Sequence, residues 1–274
     1  MDEETAKQKK ENLIDYLKGL DSLVVAFSGG VDSTFLLAVA HEVLGGKAVA
    51  ATASSKTYPI REQDEAVQFA KERGIRHFVF TSEEIEIPGF SSNPPDRCYH
   101  CKKCLSQNLI MIAEEQGIRY AAHAANVDDL GDYRPGMDAA REMGIIAPLL
   151  EVELNKEEIR FLSKEMGLPT WNKPSMACLA SRFPYGDSIT EEKLTMVDQA
   201  ETFLRNLGFR QYRVRHHGSL ARIEVEGEDV EKIAGLELRE KIVKAFRDIG
   251  FLHVALDLEG YSTGRMNRAL KIQE

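Results

Sequence analysis

The chain has 274 residues, 43 % of them hydrophobic and 29 % charged, with a formal net charge of −9. That length allows a main domain with a smaller second one, and no apolar run approaches the ~20 residues of a membrane span. The acidic balance argues against a large nucleic-acid partner held through its phosphates, and the polar start Met1-Asp2-Glu3-Glu4 reads as neither signal nor transit peptide, so the cytoplasm is the expected compartment.

Residues 8–20 predict an amphipathic helix, with Leu13, Ile14, Leu17 and Leu20 on one stripe. Residues 23–27 are a short continuous apolar strand of the kind buried on both faces in parallel sheets. A glycine turn leads to a helix over 32–44. A strand over 47–53, a helix over 60–74 and a strand over 77–81 follow. Residues 88–96 hold three prolines and predict a loop. A helix over 99–117 and a fourth strand over 119–124 complete an alternation that means βαβ units and a parallel sheet. The pattern further predicts a strand over 145–148 and a helix over 156–166, with Asn155 as N-cap and Glu157 and Glu158 in its first turn.

Residues 167–190 are rich in Pro, Ser and Gly and lack periodicity, so they predict a long functional connection. Beyond Thr190 the pattern changes to a helix over 191–207, a hairpin of strands 211–217 and 221–226, a helix over 230–249 and a strand over 253–258. The expected architecture is α/β: a Rossmann-like parallel-sheet domain over 1–170, a connecting loop over 171–190, and a smaller α+β domain over 191–274. No internal repeat or low-complexity tract is visible.

Ser28-Gly29-Gly30-Val31-Asp32-Ser33 lies between the first strand and the following helix. Two glycines let the backbone approach a ligand and turn its N–H groups inward. The helix beginning near Asp32 adds its positive end, and Ser28 and Ser33 add hydroxyl donors. Asp32 repels phosphate, which leaves it Mg²⁺ or water coordination. The loop is not a Walker A sequence, because it lacks the Lys-Ser/Thr pair and the four-residue spacer. It resembles instead the PP-loop of ATP pyrophosphatases, which cleave ATP to AMP and pyrophosphate. The resemblance implies that this loop holds the departing pyrophosphate and that Thr52 and Ser54, at the end of the second strand, meet adenosine. Asn126, Asp128, Asp129 and Asp132 follow the fourth strand; such a cluster suits Mg²⁺ and equally suits a solvated acidic loop.

The four cysteines are Cys98, Cys101, Cys104 and Cys178. Cys98 and Cys101 form a CxxC at a helix start, where both sulfurs share a face and thiolates are favoured. A structural zinc, an iron–sulfur cluster and a redox pair all remain open on spacing alone. The adjacent His216-His217 cannot easily share one ion, since neighbouring strand residues face opposite ways. Trp171 reads as a packing anchor, and Lys102-Lys103 as a solvated face or a pair that meets phosphate, the solvated face being favoured.

Four further stretches narrow the reading: residues 173–186 (KPSMACLASRFPYG), 132–136 (DYRPG), 213–216 (RVRH) and 264–267 (GRMN). Together with the SGGVDS loop they resemble, in order and over nearly the whole chain, the LarE family of ATP-dependent sulfur transferases. The resemblance implies adenylation of a carboxylate of pyridinium-3,5-biscarboxylic acid mononucleotide and displacement of AMP by sulfur, as a step toward the nickel-pincer nucleotide of lactate racemase. Some members sacrifice a cysteine, which falls where this chain has Ala177; others hold a [4Fe–4S] cluster on three cysteines. Cys98, Cys101 and Cys178 match the second pattern and imply a cluster with an open iron for hydrosulfide from a sulfide donor. Cys104 has no counterpart and reads as a packing residue or an alternate ligand. The resemblance also implies that Ser181, Arg182 and Glu201 lie at the catalytic centre. Arg213 and Arg215 share one strand face, and their fork-shaped guanidiniums suit the substrate's phosphate and carboxylates, while Arg182 with Ser181 is placed to orient the acyl adenylate. The resemblance further implies that ATP and Mg²⁺ are bound and that the protein is a homo-oligomer. The rival expectations are a tRNA thiolation enzyme, which the acidic balance disfavours, a PP-loop synthetase with structural zinc, and a nucleotide sensor without chemistry.

Overall fold

The computed structural model describes residues 1–131, 133–262 and 264–269. These form two compact units, one made of Met1–Glu83 with Asp96–Ser175 and the other of Glu84–Pro95 with Met176–Glu274.

The first unit is an α/β layer structure. Its strands are β1 (Leu23–Ala26), β2 (Ala48–Ser54), β3 (His77–Thr81) and β4 (Tyr120–Ala122). They form one parallel sheet in the order β3-β2-β1-β4. Side chains alternate across a strand, so Leu23 and Val25 join one core and Val24 joins another on the opposite face. This two-sided burial is why β1 reads as unbroken apolar sequence.

The first core packs α1 (Glu3–Lys18), α2 (Val31–Leu44), α3 (Ile60–Glu72) and α7 (Lys156–Glu165) through Leu13, Phe35, Phe69 and Leu162. The second packs α4 (Arg97–Glu115) and α5 (Pro135–Glu142) through Leu109, Ala113 and Ala140. The strand expected over 145–148 is a single bridge, Ala122 to Ile146. Pro148 then opens the short helix α6 (Pro148–Glu151), because proline cannot donate to a continuing ladder. No helix among the described residues is long and apolar enough to cross a membrane.

In the second unit, β5 (Tyr212–His217) and β6 (Leu220–Val225) form the expected antiparallel hairpin. Strand β7 (His253–Leu256) lies parallel to β6. Helix α8 (Glu191–Asn206) supplies Ala200 and Leu204 to this unit's core. The expected helix over 230–249 is two helices, α9 (Gly227–Ala234) and α10 (Leu236–Ile249). Gly235, extended at φ −57° and ψ 142°, separates them while Ile233 and Phe246 stay in one core. Residues 84–95 count with this unit because Asn93 is buried there. Its Nδ2 donates to the Phe183 and Pro184 carbonyls at 3.3 and 2.6 Å, and its own carbonyl accepts from Gly186 N at 2.9 Å.

Helix α7 starts with a complete capping box. Asn155 Oδ1 accepts from Glu158 N, and Glu158 Oε2 accepts from Asn155 N, both at 2.9 Å. Replacing Asn155 with Ala should therefore lower unfolding free energy by about 1 kcal/mol, read as a fall in the urea midpoint at unchanged slope.

Candidate functional site

In the first unit the site grows from the turn between β1 and α2. Gly29 has φ +67°, a conformation that disfavours side chains. A Cβ there would also meet Ala66 Cβ at 3.2 Å on α3. Ser28 and Ser33 bring their hydroxyls to 3.1 Å, and Gly30 N donates to Ser28 Oγ at 3.4 Å. Gly30 is the N-cap of α2 and supplies no side-chain cap. The first-turn amides and the helix dipole therefore stand ready for an anion.

Asp32 follows directly. Its Oδ2 contacts Lys156 Nζ at the start of α7, while its Oδ1 is buried without a hydrogen-bond partner among the described residues. Burial pushes the Asp32 carboxyl above its ordinary range; Lys156 opposes that shift and Asp129 adds to it. An orphaned carboxylate oxygen beside an anion cradle fits a hard divalent cation.

The other predicted nucleotide residues have mixed surroundings. Thr52 is buried, and its hydroxyl donates to the Phe27 carbonyl at 2.6 Å. His77 Nε2 lies 2.7 Å from the same hydroxyl; with the hydroxyl hydrogen committed to Phe27, Nε2 is the donor. Ser54 is half-buried at the end of β2. Asn126 Oδ1 accepts from Asp128 N, and Asp129 Oδ2 from Asn126 N, both at 3.0 Å. Asp129 also pairs with Arg134, and Asp128 accepts from Lys156 N at 2.6 Å. Asp132 lies outside the described residues.

Cys98 is exposed in the first turn of α4, and Arg97 Nη2 approaches its sulfur at 3.7 Å. Cys101 and Cys104 are half-buried on the same helix, and Asn108 donates to the Cys104 carbonyl at 3.0 Å. Lys102 is also half-buried, its stem under Gly136 of α5, where a Cβ would stand 3.3 Å from Lys102 Cβ; it is not the solvated residue the pattern suggests. Trp171 is exposed, with Lys164 Nζ 5.0 Å from its ring. Among the described residues, no group of three or more His, Cys, Asp or Glu side chains is arranged to hold a metal ion.

The second unit gathers arginines and acids into a buried network. Cys178 is half-buried and caps the 3₁₀ turn Leu179–Arg182. Arg182 has no exposed surface. Its Nε and Nη2 grip both oxygens of Glu201, also fully buried, at 2.8 and 2.9 Å. Its Nη1 donates to the carbonyls of Ala177 and Cys178 at 2.8 and 3.1 Å and to Ser181 Oγ at 2.9 Å. Arg182 thus shapes the Cys178 turn from inside the protein. Burial is the largest influence and pushes the Glu201 carboxyl up, but Arg182, Arg213 and the Val214 N–H together hold it below its ordinary value. Glu201 Oε1 also accepts from Val214 N at 3.0 Å, which docks β5 on α8.

Arg215 forks onto buried Glu224 at 3.0 and 2.7 Å and donates to the Ser181 carbonyl at 2.8 Å. Arg213 is 3 % exposed, lies 4.8 Å from the Tyr261 ring centroid and donates to the Tyr212 carbonyl at 2.6 Å. Burial and then Arg182 push the Arg213 guanidinium below its ordinary value. The network gains Arg222 and Arg265, both on Asp257, at 2.6 and 3.1 Å. Tyr185 donates to Asn267 Oδ1 at 3.0 Å, so the end of the stretch 173–186 meets the stretch 264–267 in the fold. His216 sits between Phe183 and Phe251, with ring centroids 5.1 and 5.6 Å away, and belongs to the core. Sequence reasoning missed Lys156, Lys173, Glu224, Asp257 and Tyr261. An ordinary Lys, acid or Tyr carries no local signal of the arginine or loop it meets in space.

No family model matches the chain. It is 37 % identical over 267 residues to the pyridinium-3,5-bisthiocarboxylic acid mononucleotide synthase of Lactiplantibacillus plantarum, covering 97 % of this chain and 96 % of the relative. It is 44 % identical over 264 residues to an uncharacterised protein of Synechocystis sp., covering 96 % of this chain and 98 % of that one. A weaker likeness, 24 % identity over 212 residues, joins it to a glutamine-hydrolysing GMP synthase chain of Methanococcus maripaludis, covering 70 % of this chain and 66 % of that protein.

The buried Arg182–Glu201 pair should govern acid stability. A carboxyl whose folded pKa is depressed stabilises above its ordinary value of 4.5 and loses that contribution as pH falls through the folded value. The urea midpoint should thus drop below pH 4.5, and Glu201→Gln should flatten that drop. Arg182→Met strands a buried carboxylate and should cost about 3–5 kcal/mol at neutral pH.

Proposed function

The chain belongs to the LarE family of PP-loop ATP-dependent sulfur transferases, and on that premise we propose its reaction and the residues that carry it. ATP adenylates a carboxylate of pyridinium-3,5-biscarboxylic acid mononucleotide: the carboxylate oxygen attacks the α-phosphorus and pyrophosphate leaves. Sulfur at the hydrosulfide level then attacks the acyl carbon. The C–S bond forms, the bond to AMP breaks, and a thiocarboxylate remains. Adenylation is needed because a carboxylate is a poor electrophile and a thiolate-type sulfur is a strong nucleophile near neutral pH.

The loop 28–33 is the observation that carries this reading. Its amides, hydroxyls and helix end suit a departing pyrophosphate, and the orphaned Asp32 Oδ1 suits Mg²⁺ to neutralise it. Residues 1–170 supply the nucleotide chemistry, with Thr52 and Ser54 toward the adenosine end and Asn126 with the acidic cluster that suits Mg²⁺, and residues 191–274 receive the substrate. Arg213 meets the substrate's anionic groups with its planar fork. Arg215 holds the Ser181 carbonyl, and Arg182 and Glu201 set the Cys178 turn. The net charge of −9 favours a small nucleotide substrate over tRNA.

Cys98, Cys101 and Cys178 have the donor chemistry of a [4Fe–4S] cluster, since thiolates are its ligands, and two of them lie a single helical turn apart on α4. When bound, such a cluster supplies the sulfur through its open iron. Ala177 stands where the sacrificial members carry their cysteine, which supports a sulfur source other than the chain itself. Purified without oxygen, the protein should be brown and contain iron and acid-labile sulfide in equal amounts. Colourless protein with stoichiometric zinc overturns the cluster.

Arg213→Ala should raise KM for the pyridinium substrate at least about tenfold, the size of one charge-assisted hydrogen bond, or abolish turnover. Unchanged kinetics take Arg213 out of the site. ATP cleavage to AMP and pyrophosphate without thiocarboxylate formation, with sulfide and substrate present, defeats the reaction itself.

A further inference from the structure

Lys173 belongs to the first unit and stands five residues before Cys178 in the chain. Its side chain is 14 % exposed and runs to the phosphate loop. There its ammonium donates to the Gly29 carbonyl at 3.1 Å and meets Glu62 and Glu65 of α3 at 2.7 Å each. The backbone around it is held from α7, where Arg160 donates to the Trp171 and Lys173 carbonyls at 2.8 and 2.7 Å.

The geometry assigns Lys173 as a positioning residue that orients the phosphate-binding amides of the loop. The Gly29 carbonyl and the Gly30 N–H belong to one planar trans peptide, so they point in opposite directions. Fixing the oxygen at Lys173 turns the Gly30 N–H to the other side, where Ser28 Oγ accepts it at 3.4 Å. Ser28 Oγ and Ser33 Oγ mark that side as the anion cradle. Gly29 cannot set this orientation itself, because its backbone freedom is the largest of any residue.

The inventory of donors separates positioning from direct phosphate binding. An ammonium has three hydrogens; the Gly29 carbonyl and Glu65 each accept one, and Glu62 stands beside it as a second ion-pair partner at 2.7 Å. The two carboxylates also offset the lysine's charge, which weakens its pull on a phosphate. Lys156, facing Asp32 from the start of α7, has no such pair of carboxylates holding it among the described residues.

The inference rests on the proposed ATP chemistry, and the test keeps the two apart. The measurements are exchange of labelled pyrophosphate into ATP, driven by pyridinium-3,5-biscarboxylic acid mononucleotide, and calorimetric binding of α,β-methylene-ATP without that substrate. Lys173→Met should raise KM for ATP and Kd for the analogue about tenfold, as loss of one charge-assisted hydrogen bond would, and leave KM for the pyridinium substrate unchanged. Lys173→Arg, which can still donate to the Gly29 carbonyl, should stay within about threefold of wild type. Lys173→Gln, with a single neutral amide, should fall between them and serves if the Met variant does not fold. Wild-type nucleotide affinity in both the Met and Gln variants overturns the assignment, as does an equal rise in both KM values. A wild-type chain that binds the analogue yet never exchanges pyrophosphate overturns the reaction instead.

Discussion

Backbone amides gathered in a glycine turn at a helix N-terminus, an arrangement suited to an anion, impose the constraint around which the first unit is arranged. A glycine turn supplies the donors but cannot hold them in one orientation, and its carbonyls would repel the ligand if they turned inward. The fold answers from two elements. Helix α3 closes on Gly29 so tightly that a Cβ there would press on Ala66. Helix α7 supplies Lys156 to Asp32 and, through Arg160, fixes the backbone from which Lys173 reaches the Gly29 carbonyl. The buried β1 beneath the loop gives all of these a rigid base.

The second unit solves a different problem with charge. Fully buried Arg182 and Glu201 bring a large desolvation cost, and replacing such a pair with apolar residues is often neutral or stabilising. Its retention here goes with geometry: one guanidinium ties α8, the Cys178 turn and Ser181, while Glu201 ties α8 to β5. Arg215 adds a second tie from β5 to Ser181. The residues flanking Cys178 are consequently fixed by hydrogen bonds from three elements rather than left as a mobile loop. Arg213 lies among these pairs, and burial and then Arg182 push its guanidinium below its ordinary value.

How much was legible follows from what is local. The strands β1 to β3 and helices α2, α3, α4 and α7 were readable because two-sided burial, periodicity and an N-cap leave marks within a few residues. The strand expected over 145–148 failed because a single bridge and a proline look, in sequence, like the start of a ladder. The helix over 230–249 broke at Gly235 without any change in apolar spacing. Helix α5 escaped notice because Pro135 at its first position reads as a turn unless the following residues are known to be packed.

The sequence by itself determined the parallel-sheet fold, the anion-binding turn and the family, since each depends on residues adjacent in the chain or on stretches kept in order along it. The role of Arg182 and the importance of Lys173, Glu224 and Tyr261 were decided by tertiary structure alone. Their partners lie far along the chain, and a guanidinium reads the same in sequence whether it faces a substrate or a buried glutamate. The SGGVDS residues mark a phosphate-type turn in sequence; only folding shows that Lys173 meets its Gly29 carbonyl.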